Sequence, residues 1–85
     1  MSYEIIFSKE ASKDFYRFDK QYQKAISKAL DRLALDPKLG KPLTGDLKGL
    51  WKLRFARYRV VYEIREVELI VYVHKIKHRK EVYLN

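Results

Sequence analysis

Residues 50–64 read LWKLRFARYRVVYEI, and the alternation inside this stretch decides the fold. Trp51, Leu53 and Phe55 alternate with Lys52 and Arg54, the period-two pattern of a strand with one buried face. The alternation changes phase at Ala56–Arg57 and resumes with Tyr58, Val60, Tyr62 and Ile64. A hairpin reversing at Ala56–Arg57 pairs Phe55 with Tyr58 and Arg54 with Arg59. In that register every apolar residue falls on one face, with Lys52, Arg54 and Arg59 together on the other. The turn holds neither Gly nor Asn, so a two-residue primed turn is strained and a four-residue loop in the same register is expected.

The pattern extends outward in both directions. After a tight connection at REVE (65–68), LIVYVHKIK predicts a third strand that completes an antiparallel meander. Its end turns basic, in HKIKHRK, before the closing EVYLN. Upstream, DPKLGKPLTGDLKG (36–49) is the one cluster of Pro and Gly and separates a helical half from a strand half. SYEIIF (2–7) predicts an N-terminal strand, and Ser8 is a suitable N-cap for a helix carrying Ala11, Phe15 and Phe18 on one face. Lys9, Lys13, Asp14 and Arg17 lie off that face. A second helix, Gln21 to Leu35, carries Tyr22, Ile26, Ala29, Leu30 and Leu33 inward and must stop by Asp36, before Pro37. The expected architecture is α+β: an N-terminal strand, a two-helix hairpin, then the three-stranded meander, a single-layer sheet covered by helices. The chain is expected to form one domain over 1–85.

Composition narrows the partners. Eighty-five residues leave room for one core, and the formal net charge of +8 favours a polyanion such as nucleic acid. With no cysteine, neither a disulfide framework nor a Cys-based zinc site is available. The N-terminal residues lack the pattern of a signal peptide, and no apolar run approaches the ~20 residues that span a bilayer. A soluble, cytoplasmic protein without a membrane partner is expected.

Directly opposed like charges destabilise an antiparallel pair, so Arg54 facing Arg59 beside Lys52 makes sense where an anion is expected. Arg offers a bidentate fork and Lys a point charge for phosphate. The alternative is a solvent-facing sheet whose cations are satisfied by Glu63 or Glu68. Near the C-terminus His78, Arg79 and Tyr83 offer a proton carrier, a phosphate clamp and a base-stacking ring; the alternatives are a surface histidine at a strand end and a terminal tyrosine that plugs the core. His74, flanked by apolar residues, reads as structural. Arg57 belongs to the turn and reads as a peripheral contact. Two His without Cys give no zinc spacing, GKPLTG lacks the spacing of a phosphate loop, and no G-x-S-x-G elbow occurs. No metal site and no cofactor is expected.

GLWKLRFARYRVVYEI and VYVHKIKHRKEVY, preceded by YEIIFSKEASKDF and the 36–54 connector, resemble the RelE branch of the RelE/ParE toxins of type II toxin–antitoxin pairs. The resemblance spans essentially the whole chain. It implies a metal-independent endoribonuclease that cuts mRNA in the ribosomal A site through attack of the RNA 2′-hydroxyl on the adjacent phosphate. It implies that Lys52 serves as base or charge stabiliser, Arg59 contacts the scissile phosphate, Arg79 acts as acid or clamp, and Tyr83 stacks on the base. Arg54, Arg57 and His78 would support RNA binding. Some members carry a further lysine two residues before the first; here that position is Leu50. The implied partners are the ribosome, mRNA and a small acidic RelB-like antitoxin. Two other readings stand beside this one: a ParE-like inhibitor of DNA gyrase, and a non-catalytic RNA- or ribosome-binding module.

Overall fold

The computed structural model describes residues 2–78. Strand β1 (Glu4–Phe7) leads into helices α1 (Lys9–Arg17) and α2 (Lys20–Leu35). A connector with two 3-10 turns, Pro37–Leu39 and Gly45–Leu47, contains the short strand β2 (Lys41–Pro42). Strands β3 (Trp51–Phe55), β4 (Tyr58–Arg65) and β5 (Ile70–His78) follow. The sheet order is β1-β5-β4-β3-β2, with β1 parallel to β5 and the other pairs antiparallel. The expected α+β architecture, two helices and a sheet with the meander at its centre, is the one found.

The hairpin register is the one the alternation dictates, with Phe55 opposite Tyr58 and Arg54 opposite Arg59. Its connection corrects the expected four-residue loop: only Ala56 and Arg57 lie between the strands. Ala56 takes a left-handed φ of 50°, which costs an L-residue about 1–2 kcal/mol. Packing of the aromatic face offsets that cost. Phe55 and Tyr58 lie 5.9 Å apart between ring centroids, and Phe18 meets Tyr58 edge-on at 5.1 Å.

The core lies between this face and the helices. Ala11, Ile26, Leu33, Val60, Tyr62, Val71, Val73 and Ile76 are fully buried. Ser8 caps α1 by accepting the Ala11 N–H at 3.0 Å, and its hydroxyl donates to the His74 carbonyl at 2.7 Å. The cap therefore ties the start of the helix to β5.

Two features depart from the sequence reading. Asp14, expected on the outer side of α1, is 2% exposed because its carboxylate fills a polar vacancy at the edge of β5. β1 ends at Phe7, opposite Val73, so among the described residues the outer edge of β5 beyond that point has no strand partner. There the Asp14 Oδ2 accepts the Ile76 N–H at 2.9 Å. The second feature is β2, which pairs Lys41 with Lys52 and Pro42 with Trp51 inside a segment read only as a connector. Tyr62, fully buried, anchors that segment: its hydroxyl donates to the Pro37 carbonyl at 2.6 Å and accepts the Gly40 N–H at 3.1 Å. Gly40 is required there, since a Cβ would meet the Lys52 carbonyl oxygen at 2.5 Å and the Tyr62 hydroxyl at 2.7 Å.

Candidate functional site

The face of the sheet opposite the helices carries the cations in register. Lys52, Val61 and Lys75 line up across β3, β4 and β5, and Arg54, Arg59 and Lys77 form the adjacent row. The second half of each row depends on a β-bulge. β5 alternates Val71 and Val73 inward, and unbroken alternation would next turn Lys75 and Lys77 toward the core. The ladder instead passes from Tyr62–Val73 to Val61–Lys75, skipping His74. One extra residue reverses the phase, so Ile76 enters the core and both lysines join the cationic face.

Lys52, Arg59, Lys75 and Lys77 line a hollow of about 220 Å³, with Val61 in its floor. Leu43, Leu47 and Leu50, from the connector, form an apolar wall. Arg59 is only 5% exposed. A guanidinium in so dry a place interacts with a phosphate more strongly than one in bulk water would.

The four cations are not equivalent. The Lys77 ammonium lies 2.8 Å from an Asp14 oxygen and 2.9 Å from a Glu10 oxygen, both on α1. Burial alone would lower its pKa. The hydrogen bonds and charges of Asp14 and Glu10 outweigh that effect, so Lys77 titrates above its ordinary 10.5 and stays an ammonium. Asp14 also holds Arg17 at 3.0 Å. Among the described residues, no carboxylate lies within ion-pair distance of the Lys52 or Lys75 ammonium.

Glu63, the alternative counter-ion for Lys52, Arg54 and Arg59, is engaged elsewhere. It accepts from Arg65 Nε at 3.1 Å and lies 3.2 Å from His74 Nε2. Hydrogen bonds from Arg65 first, then His74, hold its carboxyl below the ordinary 4.5. The Arg65 guanidinium also stacks over Tyr72 at 4.5 Å. The His74 ring therefore faces Glu63 and does not line the hollow.

Of the residues singled out in the sequence, Lys52 and Arg59 come together in the hollow. Arg54 pairs with Arg59 in the ladder but is exposed and lines neighbouring depressions beside Leu39 and Leu53. Arg57 is exposed in the turn. The His78 ring packs edge-on against Tyr58 at 5.6 Å, toward the helix side of the sheet. Arg79 and Tyr83 lie outside the described residues. The basic run HKIKHRK contains Lys75 and Lys77, but strict alternation from Val71 and Val73 points both toward the core, so the sequence pattern alone does not place them on the cationic face.

A sequence profile of the ParE toxin of type II toxin–antitoxin system, parDE, matches residues 5–83. Toxin RelG of Mycobacterium tuberculosis is 28% identical over 85 residues, covering 98% of each chain. A putative RelE-like toxin protein of Escherichia coli is 28% identical, covering 98% of this chain and 92% of its own. The toxin–antitoxin complex RelBE2 of M. tuberculosis contains a chain matching this fold with a TM-score of 0.87 and 27% identity, over 93% of this chain and 100% of that one. The isolated E. coli RelE toxin shares the fold at a TM-score of 0.79 and 21% identity, over 98% and 93% of the two chains. With its profile match from β1 past the end of β5 and relatives aligned over nearly their whole length, the chain belongs to the RelE/ParE family of type II toxin–antitoxin toxins.

Proposed function

We propose that this toxin is a ribosome-dependent endoribonuclease that cleaves mRNA in the A site and is held inactive by a small acidic RelB-like antitoxin. The observation that carries this reading is the hollow lined by Lys52 and the buried Arg59 on the face of the sheet opposite the helices. Cleavage needs deprotonation of a 2′-hydroxyl, stabilisation of a dianionic phosphorane and protonation of the leaving 5′-oxygen. The 2′-oxygen bonds to phosphorus as the P–O5′ bond breaks, leaving a 2′,3′-cyclic phosphate and a 5′-hydroxyl. The nucleophile belongs to the RNA, so the protein's task is charge stabilisation and proton transfer, with no metal required by the scheme. Arg59 suits the non-bridging oxygens of the phosphorane, and Lys52 serves as base or as a further point charge. Arg79 is assigned the leaving oxygen and Tyr83 the base stack, both on the family resemblance alone. Arg54, Arg57 and His78 are assigned peripheral RNA contacts on the same ground.

The antitoxin assignment is supported by relatives of this fold solved as toxin–antitoxin complexes. A net charge of +8 suits an acidic partner.

A second reading follows from the matching profile, which is that of ParE: inhibition of DNA gyrase. One pair of assays separates the two. Purified toxin added to programmed ribosomes should cut mRNA in the A site, with Arg79→Ala and Tyr83→Ala together abolishing the cut while ribosome binding persists. An intact message together with lost gyrase supercoiling would establish the ParE reading instead. Intact message and unaffected gyrase, with retained ribosome binding, would leave a non-catalytic binding module.

A further inference from the structure

We propose that Lys75 is an additional RNA-contacting residue of the site, re-aimed onto the cationic face by the His74 bulge to bind a backbone phosphate opposite Lys52. This rests on the reading of the hollow as an RNA site. The ladder places Val61 directly between the two lysines, so their side chains rise from the same sheet face one strand apart on either side of it. Both line the hollow that Arg59 enters. Lys75 is half-buried, and no carboxylate among the described residues is near enough to pair with it. Lys77 provides the contrast: it stands on the same strand and face and lines the same hollow. Its charge is already taken by Asp14 and Glu10. The two lysines therefore have different roles, Lys77 fastening α1 to β5 and Lys75 leaving a cation available for an anion from outside. A bulge that carries a lysine from the core side to a convergence of like charges is consistent with that use, because bulges commonly re-aim side chains at functional sites.

The test titrates a fluorescein-labelled, all-2′-deoxy single-stranded oligonucleotide with purified toxin over a salt series, alongside A-site cleavage on programmed ribosomes. Removing one cation that neutralises a phosphate should flatten the slope of log K against log salt by about 0.7. Lys75→Gln is expected to flatten it by that amount with an unchanged urea midpoint, and to slow cleavage by about 10²-fold. Lys38→Gln, which removes an exposed lysine near Glu66, supplies the baseline. A Lys75→Gln slope equal to that of Lys38→Gln would overturn the proposal. So would a fall in its urea midpoint as large as that of Lys77→Gln, which would make Lys75 structural. If wild-type toxin cuts no message yet the slope contrast holds, the ribonuclease reading fails and the Lys75 assignment stands. If wild type cuts and Lys75→Gln matches it in slope and rate, the Lys75 assignment fails and the ribonuclease reading stands.

Discussion

The Asp14 carboxylate accepts the backbone N–H of Ile76 at 2.9 Å across 62 residues of sequence. The same carboxylate holds Lys77 at 2.8 Å and Arg17 at 3.0 Å, so one side chain of α1 seals the strand edge that β1 is too short to cover. It also fixes the last stretch of β5, from which the chain continues to Arg79.

Removing that carboxylate should therefore damage stability out of proportion to its size. Asp14→Ala leaves the buried Ile76 N–H without its acceptor and Lys77 with Glu10 as its one remaining carboxylate among the described residues, a loss expected to be about 3 kcal/mol. Asp14→Asn retains an oxygen for Ile76 but not the charge for Lys77, and should fall between. Urea unfolding measures both; an alanine variant within about 0.5 kcal/mol of wild type would remove Asp14 from this role.

Tyr62→Phe tests the anchor of the connector. It deletes one hydroxyl that serves both Pro37 and Gly40 in a fully buried place, and should cost about 1–3 kcal/mol. Gly40→Ala should cost at least as much, because β2 must move away from Lys52 to admit the methyl group. If both variants melt with wild type, the connector is not held as described.

Stability at the two ends of the pH range has assigned causes. The Glu63 carboxyl is depressed in the folded state, so its contribution is present above the ordinary 4.5 and disappears as pH falls through the folded value. Glu63→Gln should narrow the difference in Tm between pH 7 and pH 3. That effect is small, because the pair with Arg65 is about a third exposed. Tyr62, raised above 10.0 chiefly by burial, and Lys77, raised above 10.5, act at the other end. Both contributions are present below the ordinary values and are lost as pH rises through the folded ones. Thermal melts above pH 10 should show a steep loss that is shallower in Tyr62→Phe.

The two arginines of the opposed pair should separate kinetically. Arg59→Ala is expected to lower single-turnover cleavage on programmed ribosomes by about 10²–10³-fold, as for loss of one oxyanion donor. Arg54→Ala, at an exposed position outside the hollow, should lose about tenfold or less, mostly in apparent affinity. Equal losses would make the hollow irrelevant to the chemistry. For Lys52, a pH–rate profile unchanged in Lys52→Arg would assign it charge stabilisation instead of proton removal.

The sequence by itself determined the local order: Ser8 as a cap, the helix stop before Pro37, and the hairpin register that gathers the aromatics on one face. These follow from neighbours a few residues apart, where periodicity and backbone restriction are decisive. Lys52 and Arg59 were legible for the same reason, since the register that buries Tyr58 and Tyr62 places both on the opposite face. The tight turn at Ala56 was not, because its strain is tolerated only once Phe18, Phe55 and Tyr58 pack together. Asp14 looked like a surface residue until β5 presented an open N–H to it, and β2 exists because the Tyr62 hydroxyl reaches back to Gly40. Lys75 and Lys77 are the sharpest case. Their side of the sheet depends on a one-residue bulge at His74, where the Ser8 hydroxyl meets the strand and Ile76 takes the buried position. Alternation carries no trace of such an insertion; only competition for the core between Ile76 and the two lysines settles the phase.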